Sequence, residues 1–300
     1  MEFMQFSNAL EVRGFTERSR SDTYPFIDPA LQDLEGKSVC ITGASRGLGK
    51  AMAVAFASAG CSKIALAARG DVTEVADKCR ESADRAGRSV PTIVELSVDV
   101  TSEESLDNAA TRMSEAFDGS LDILINNAGY SEAPSRVADK DSDSKEWWRT
   151  WEVNVKGVYL CCRAFMPLIL ASKSKTICNL TSGAAFAISG LASAYGGTKF
   201  ALCRFGEHLD AQYGKEGLLI HSVEPGAVLT DLASQLHPDF RPYLTDTAEL
   251  VSNTLVWLTA ERREWLSPRI ICSNWDMEDL LNKKETILAG DLLKFRLTIL

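Results

Sequence analysis

The sequence predicts a doubly wound α/β domain, Rossmann-type, with one parallel sheet of about seven strands and helices on both faces. Three observations carry this. Short apolar runs of four to nine residues recur along the chain, continuous enough for burial on both faces. Stretches of helical polar–apolar periodicity separate them, the βαβ pattern whose right-handed crossovers make strands parallel. Each run ends in residues suited to turns and ligand contacts, at the sheet edge where such folds bind ligands.

The N-terminal residues 1–35 lack clear periodicity, and TYPFIDP is extended and proline-punctuated. They read as an arm, docking on the body or on a neighbouring subunit. Residues 36–273 form the α/β domain and 274–300 a C-terminal extension. The seven runs are KSVCIT (37–42), KIALAA (63–68), TIVELSVDV (92–100), LDILIN (121–126), KTICNLT (175–181), LLIHSV (218–223) and RIIC (269–272). A helix follows the first run to Ala59, and an amphipathic stretch spans 71–87. Thr101 and Glu104 have the spacing of a capping box for the next helix. A long helix is expected over 144–172 with a bend at Pro167, another over 193–214, and a last one over 246–260. The segment 227–245 reads as a loop with short helices.

The 300 residues are 45% hydrophobic, enough for a large core, with a net charge of −9. That charge disfavours nucleic acid and anionic membrane as partners while leaving room for a local phosphate pocket. No apolar run reaches the ~18–20 residues of a membrane span. The N-terminus lacks a basic-then-apolar leader pattern. The eight cysteines fall mostly inside apolar runs without CxxC spacing, as expected of buried, reduced thiols in a cytoplasmic protein.

The residues just after each run carry the chemistry. TGASRGLG (42–49) places Gly43, Gly47 and Gly49 between a strand and a helix, where free N–H groups and close backbone approach suit a diphosphate. After the second run stand Ala68 and Arg69, where an acid for a ribose hydroxyl is common. Arg69 and Arg46 together suit a 2′-phosphate, which favours NADP over NAD. Asp99 and Val100 close the third run, where Asp99 is placed to read an adenine edge or to precede a helix. Asn126–Gly129 (NNAG) close the fourth run, as a binding turn or a structural one. Ser182 comes after the fifth run, thirteen residues before Tyr195. Pro225 and Gly226 turn the chain after the sixth, with Thr230 in reach of a ligand or as a helix cap. In SAYGGTKF (193–200), Tyr195 and Lys199 stand one helical turn apart.

TGASRGLG, NNAG, Ser182, YGGTK and PGAVLT, in this order, resemble the short-chain dehydrogenase/reductase family over residues 36–273. TYPFIDP and SNWDMEDLL (273–281) resemble a fungal branch of it, some of whose members serve secondary metabolism. The resemblance implies Tyr195 as general acid/base, Lys199 as its partner and a ribose ligand, Ser182 as ligand of the substrate oxygen, and Asn154 of WEVNVKG as holder of a water relay. It implies an NADP(H) site lined by Gly43, Ser45, Arg46, Gly47, Leu48, Gly49, Arg69, Asp99, Val100, Asn126, Ala128, Gly129, Pro225, Gly226, Val228 and Thr230, with Tyr195 and Lys199 beside it. No metal is required. GGTK stands where SASK is commoner, with both functional positions intact.

Hydride transfer to a carbonyl needs a proton delivered as the oxyanion forms. A free tyrosine, pKa ~10, is a poor donor near pH 7, and an ammonium at i+4, aided by the positive nicotinamide ring of the oxidised cofactor, is expected to lower it. The expected activity is interconversion of a ketone or aldehyde with an alcohol on a lipophilic or aromatic small molecule. The expected substrate wall is Phe186, Ile188, Leu191, Leu229, Leu232, Leu236, Phe240, Tyr243 and Tyr130, with His237 in the lid. Trp147, Trp148 and Trp151 suggest a subunit face, and the family implies a homodimer or homotetramer. Two alternatives stand beside this: a non-catalytic NADP-binding protein of the same fold, and a same-fold lyase, epimerase or dehydratase. The full Asn–Ser–Tyr–Lys set argues against the first.

Overall fold

The structure is a computed structural model and describes residues 4–5, 11–235 and 238–297. Seven parallel strands form one sheet: β1 (Ser38–Thr42), β2 (Lys63–Ala68), β3 (Thr92–Ser97), β4 (Ile123–Asn126), β5 (Thr176–Leu180), β6 (Leu219–Glu224) and β7 (Arg269–Cys272). Their order across the sheet is β3-β2-β1-β4-β5-β6-β7, so the order reverses between β1 and β4. Every residue of β1, β4, β5 and β6 is buried, as the continuous apolar runs require. Helices α1 (Gly47–Ser58), α2 (Thr73–Arg85) and, later in the chain, α7 (Ala248–Ala260) cover one face. Helices α3 (Glu103–Ala116), α5 (Gly157–Ala171) and α6 (Ser193–Tyr213) cover the other.

Several expectations are corrected in detail. The third run is a strand only to Ser97. Asp99 Oδ1 accepts from both the backbone N–H and the hydroxyl of Thr101, and this Asx turn ends the extended backbone. Thr101 therefore does not cap α3. Ser102 does, accepting from Ser105 N at 3.2 Å. The long helix is irregular not at Pro167 but upstream. α4 (Ser144–Trp151) passes through a π-helical turn, Glu152–Lys156, into α5, which continues through Pro167. Such turns widen a helix by one residue and often mark functional sites; this one carries Asn154.

This 28-residue helix also corrects the reading of membrane spans, since an 18-residue window of it is long and apolar enough to cross a membrane, with mean hydropathy 1.4. Half of that window is buried inside the protein. Leu160, Phe165 and Ile169 pack on the sheet as the crossover from β4 to β5. Lys156 and Arg163 interrupt the run in the sequence.

Residues 11–35 and the stretch after β7 pack on each other and on the body. Tyr24, Ile27, Leu34 and Trp275 are buried. The Tyr24 hydroxyl accepts from Met277 N at 2.7 Å, and Trp275 Nε1 donates to Val12 O at 2.6 Å. Buried Asp276 caps α8 (Met277–Asn282) and pairs with Arg18 at 3.1 Å and Arg20 at 2.6 Å. TYPFIDP and SNWDMEDLL thus form one packed unit. All eight cysteines are buried and free.

Candidate active site

The site lies at the carboxyl ends of β1, β4, β5 and β6, across the point where strand order reverses. Beyond β1 the chain turns through Gly43 (φ +69°) into α1, which starts at Gly47. The turn is closed tightly. A Cβ on Gly49 would stand 2.3 Å from Gly43 O. Asn127 Nδ2 donates to Thr42 O at 2.8 Å and Gly43 O at 3.3 Å, and Thr42 Oγ1 accepts from Asn127 N and Ala128 N. These bonds stitch the NNAG turn to the glycine turn.

This corrects the place of Asn126. Its side chain is buried in the sheet and bonds Asn179 Oδ1 at 2.8 Å. Neighbouring strands in parallel register put Asn126 opposite Asn179, so its amide is engaged within the sheet, away from the glycine turn. Asn127, which sequence reasoning did not single out, occupies the bracing role. The signal was the doubled Asn, but strand phase alone decides which of the two faces the turn.

The glycine cradle has room. Around Gly47 only Thr230 Cγ2 comes within 4 Å of an added Cβ, at 3.9 Å. Ser45 is half-buried and Arg46 exposed, the latter paired with Asp231 at 3.0 Å. Arg69 is exposed beyond β2, close enough to Asp99 to join Arg149 in lowering its pKa. The bonds from Thr101 are the larger cause. Val100 packs on the start of α5, where a Cβ on Gly157 would meet it at 2.9 Å. Thr230 Oγ1 accepts from Ala233 N, so it caps the turn 233–235 while facing the cradle. The residues present fit a dinucleotide.

The candidate catalytic residues converge. α6 begins at Ser193 and carries Tyr195, Thr198 and Lys199. Lys199 is buried; its Nζ donates to Leu180 O at 2.7 Å and lies 5.6 Å from the Tyr195 ring centroid. Gly129 stands between the two turns and the lysine, since a Cβ there would be 3.9 Å from Lys199 Nζ and 3.5 Å from Asn154 Oδ1. Asn154 is fully buried. It accepts from Tyr130 N at 2.8 Å and donates to Tyr130 O at 2.8 Å and Thr198 Oγ1 at 3.0 Å. The glycines of YGGTK have a packing reason. Cβ atoms at Gly196 and Gly197 would stand 3.1 Å from Ala184 O and 3.2 Å from Trp151 Cζ2.

Burial sets the electrostatics of these two side chains. Burial pushes the Tyr195 phenol up to about 12; a hydrogen bond with Ser182 works against this, while Glu224 and Glu132 add to it. Burial also pulls the Lys199 ammonium down to about 8. Desolvation is the largest cause of both shifts.

Two carboxyls were missed. Glu132 is buried and accepts from Ala194 N at 2.8 Å, Tyr195 N at 3.1 Å and Thr150 Oγ1 at 3.1 Å. It caps the helix that carries Tyr195, from 62 residues upstream, a pairing no local pattern announces. Glu224 ends β6, buried, with Cys272 Sγ at 3.0 Å from Oε2, and burial raises its pKa. A charged residue closing an apolar run was its sequence signal.

Ser182 and Tyr195 open on a cavity of about 840 Å³, lined also by Leu48, Pro225, Gly226, Val228 and Thr230 from the cradle side. Phe186, Ile188, Leu191, Leu232 and Tyr243 line it as expected. Leu229 is exposed and outside it. Tyr130 turns away, its hydroxyl on Glu146, because its backbone is pinned by Asn154. Leu236 and His237 lie outside the described residues, and the side chain of Phe240 is likewise not described.

A family model described as short chain dehydrogenase matches residues 37–240. The chain belongs to this family, the short-chain dehydrogenase/reductase oxidoreductases. Within it, the chain is 43% identical over 288 residues to the short chain dehydrogenase mpl6 of Monascus purpureus, covering 95% of this chain and 98% of that one. It is 40% identical over 284 residues to pigC of Monascus ruber, covering 94% and 93%. These relatives belong to the fungal secondary-metabolism branch that TYPFIDP and SNWDMEDLL resemble. Among solved structures, the 3-ketoacyl-(acyl-carrier-protein) reductase of Brucella melitensis complexed with NADH matches with a TM-score of 0.68 and 25% identity, over 80% of this chain and 97% of that one.

Proposed function

We propose that this protein interconverts a ketone or aldehyde with its alcohol on a lipophilic or aromatic small molecule, using NADP(H), with Tyr195 as general acid/base. One observation carries the reading. Tyr195 and Ser182, near enough that the serine hydroxyl draws the phenol's pKa down, line one largely apolar cavity that also opens on the glycine cradle.

The nicotinamide, when bound, supplies or takes the hydride. The chain's residues do the rest. Ser182 and Tyr195 offer two hydroxyls to one substrate oxygen and polarise it. A phenol kept protonated by burial is a proton donor, and the Tyr195 Oη proton passes to the oxygen as charge develops there. Lys199, held by Leu180 O, is the cation nearest the phenolate left behind. Asn154, bonded through Thr198 and the Tyr130 backbone, fixes α6 against the NNAG turn. The apolar walls exclude water and favour uncharged substrates.

NADP preference is supported by Arg69 and Arg46 and by the lack of an acid at Ala68 or Arg69. The reductase of Brucella was solved with NADH, so cofactor choice rests on these residues. A homo-oligomer is proposed through the face where Trp148 and Tyr159 are exposed beside Phe205. The reading is tested by NADPH consumption over 2-butanone, acetophenone and 2-acetonaphthalene, with Ser182→Ala beside the wild type. Turnover that falls at least about tenfold in the variant supports it; turnover indifferent to Ser182 refutes it.

A further inference from the structure

The C-terminal extension does not end the fold inertly. After α9 (Lys284–Ala289) the chain turns and runs back along the free edge of β7. Ile270 N donates to Leu293 O at 2.9 Å, continuing that edge as a strand neighbour would. Buried Arg269 bonds the Leu292 carbonyl and pairs with Asp291 at 3.1 Å. Asp291 also binds Lys294 at 2.5 Å and Arg296 at 3.0 Å. These cations, Lys294 first, hold its carboxyl down at about 2, so the tether is ionised at every pH near neutrality. On the far side, Arg204 of α6 donates to Phe295 O at 3.2 Å, and Arg296 reaches Glu207 at 3.3 Å.

Both anchorages fix one side chain. The Phe295 ring stands 4.5 Å from the Phe200 ring and 6.5 Å from that of Phe186, centroid to centroid. All three rings line the cavity that holds Ser182 and Tyr195. Phe200 directly follows Lys199, and Phe186 follows Ser182 by four residues. A residue near the end of the chain thus completes an aromatic wall over the reacting groups.

We propose that residues 291–297 form a wall of the substrate cavity and that Phe295 is a specificity-determining residue, selecting planar aromatic carbonyl compounds through ring contacts shared with Phe186 and Phe200. The assignment rests on the carbonyl–alcohol reading of the same site. A small aliphatic ketone held at Ser182 and Tyr195 gains nothing from these rings, whereas a bicyclic aromatic ketone reaches them.

Phe295→Ala and Phe295→Leu in the full chain separate the effects. A lost ring contact of ordinary size predicts about a tenfold fall in kcat/KM for 2-acetonaphthalene, carried by KM, with 2-butanone unchanged within about twofold. Leucine falls between, and serves as the readout if the alanine variant melts markedly lower. Asp291→Asn, which loosens the tether, shifts selectivity in the same direction. Calorimetric binding of 2-acetonaphthalene is measured separately, so the wall is judged whether or not the ketone is reduced. Binding about tenfold weaker in Phe295→Ala supports the proposal even if turnover is absent, a result that would count against the carbonyl–alcohol reading instead. An equal effect on all ketones, unchanged binding, or a wild type that does not bind 2-acetonaphthalene overturns it.

Discussion

Replacing Lys199 with methionine should stabilise the fold at pH 7 while abolishing turnover. The ammonium is buried, and burial lowers its pKa from 10.5 to about 8. Below pH 8 the folded protein holds a charged lysine at a penalty of about 3 kcal/mol. The bond from Nζ to Leu180 O, charge-assisted, returns about 1.5–3 kcal/mol and is lost in the variant. The net gain from methionine at pH 7 is therefore small, about 1 kcal/mol. The swing with pH is larger. Between pH 8 and 10.5 the unfolded chain holds more protons on this residue than the folded one, so wild-type stability rises relative to the variant. By pH 10.5 the variant should have lost about 3 kcal/mol of its relative advantage and be the less stable protein. Urea unfolding of both proteins from pH 7 to 10.5 measures this, since thiols and tyrosines common to both cancel in the difference. A stability difference that stays constant over that window would refute the assignment of a desolvated ammonium.

The same geometry sets other outcomes. Gly49→Ala should destabilise the fold by about 3 kcal/mol or more and weaken NADPH binding, because its Cβ would stand 2.3 Å from a carbonyl oxygen. Gly70→Ala, where nothing lies within 4 Å of the added carbon, is the control and should be neutral in unfolding and cofactor titrations. Glu132→Ala leaves Ala194 N and Tyr195 N without their acceptor; about 2–4 kcal/mol of stability and most of kcat should go. NADPH affinity, titrated by fluorescence, should hold within a few-fold of wild type. Removing both Arg46 and Arg69 should lower the NADPH-to-NADH affinity ratio at least about tenfold, and an unchanged ratio would assign the preference elsewhere.

The fold was legible because its signals are local. Continuous runs such as LDILIN and LLIHSV permit little but a buried parallel strand, and the turn residues after them fall where the sheet binds ligands. Tyr195, Lys199, Ser182 and Asn154 were readable as a set and do converge. The features that escaped depend on phase or distance. Which asparagine of NNAG braces the glycine turn is settled by the register of β4 against β5. The Glu132 cap and the Phe295 wall join segments 63 and 96 residues from Tyr195 and Lys199, beyond any periodicity. The desolvation of the Tyr195–Lys199 pair escaped for a physical reason. Spacing reports the lysine's proximity but not the burial around both groups.

Tyr195→Phe tests the central claim most directly, because it removes only the phenolic oxygen at the mouth of the cavity. With the wild type and the variant side by side, NADPH binding is titrated and turnover is measured on whichever ketone the wild type reduces best. Cofactor affinity is expected to stay within about threefold of wild type while turnover falls by at least about 10²-fold. Turnover within tenfold of wild type would contradict the assignment and move the proton donor to another residue.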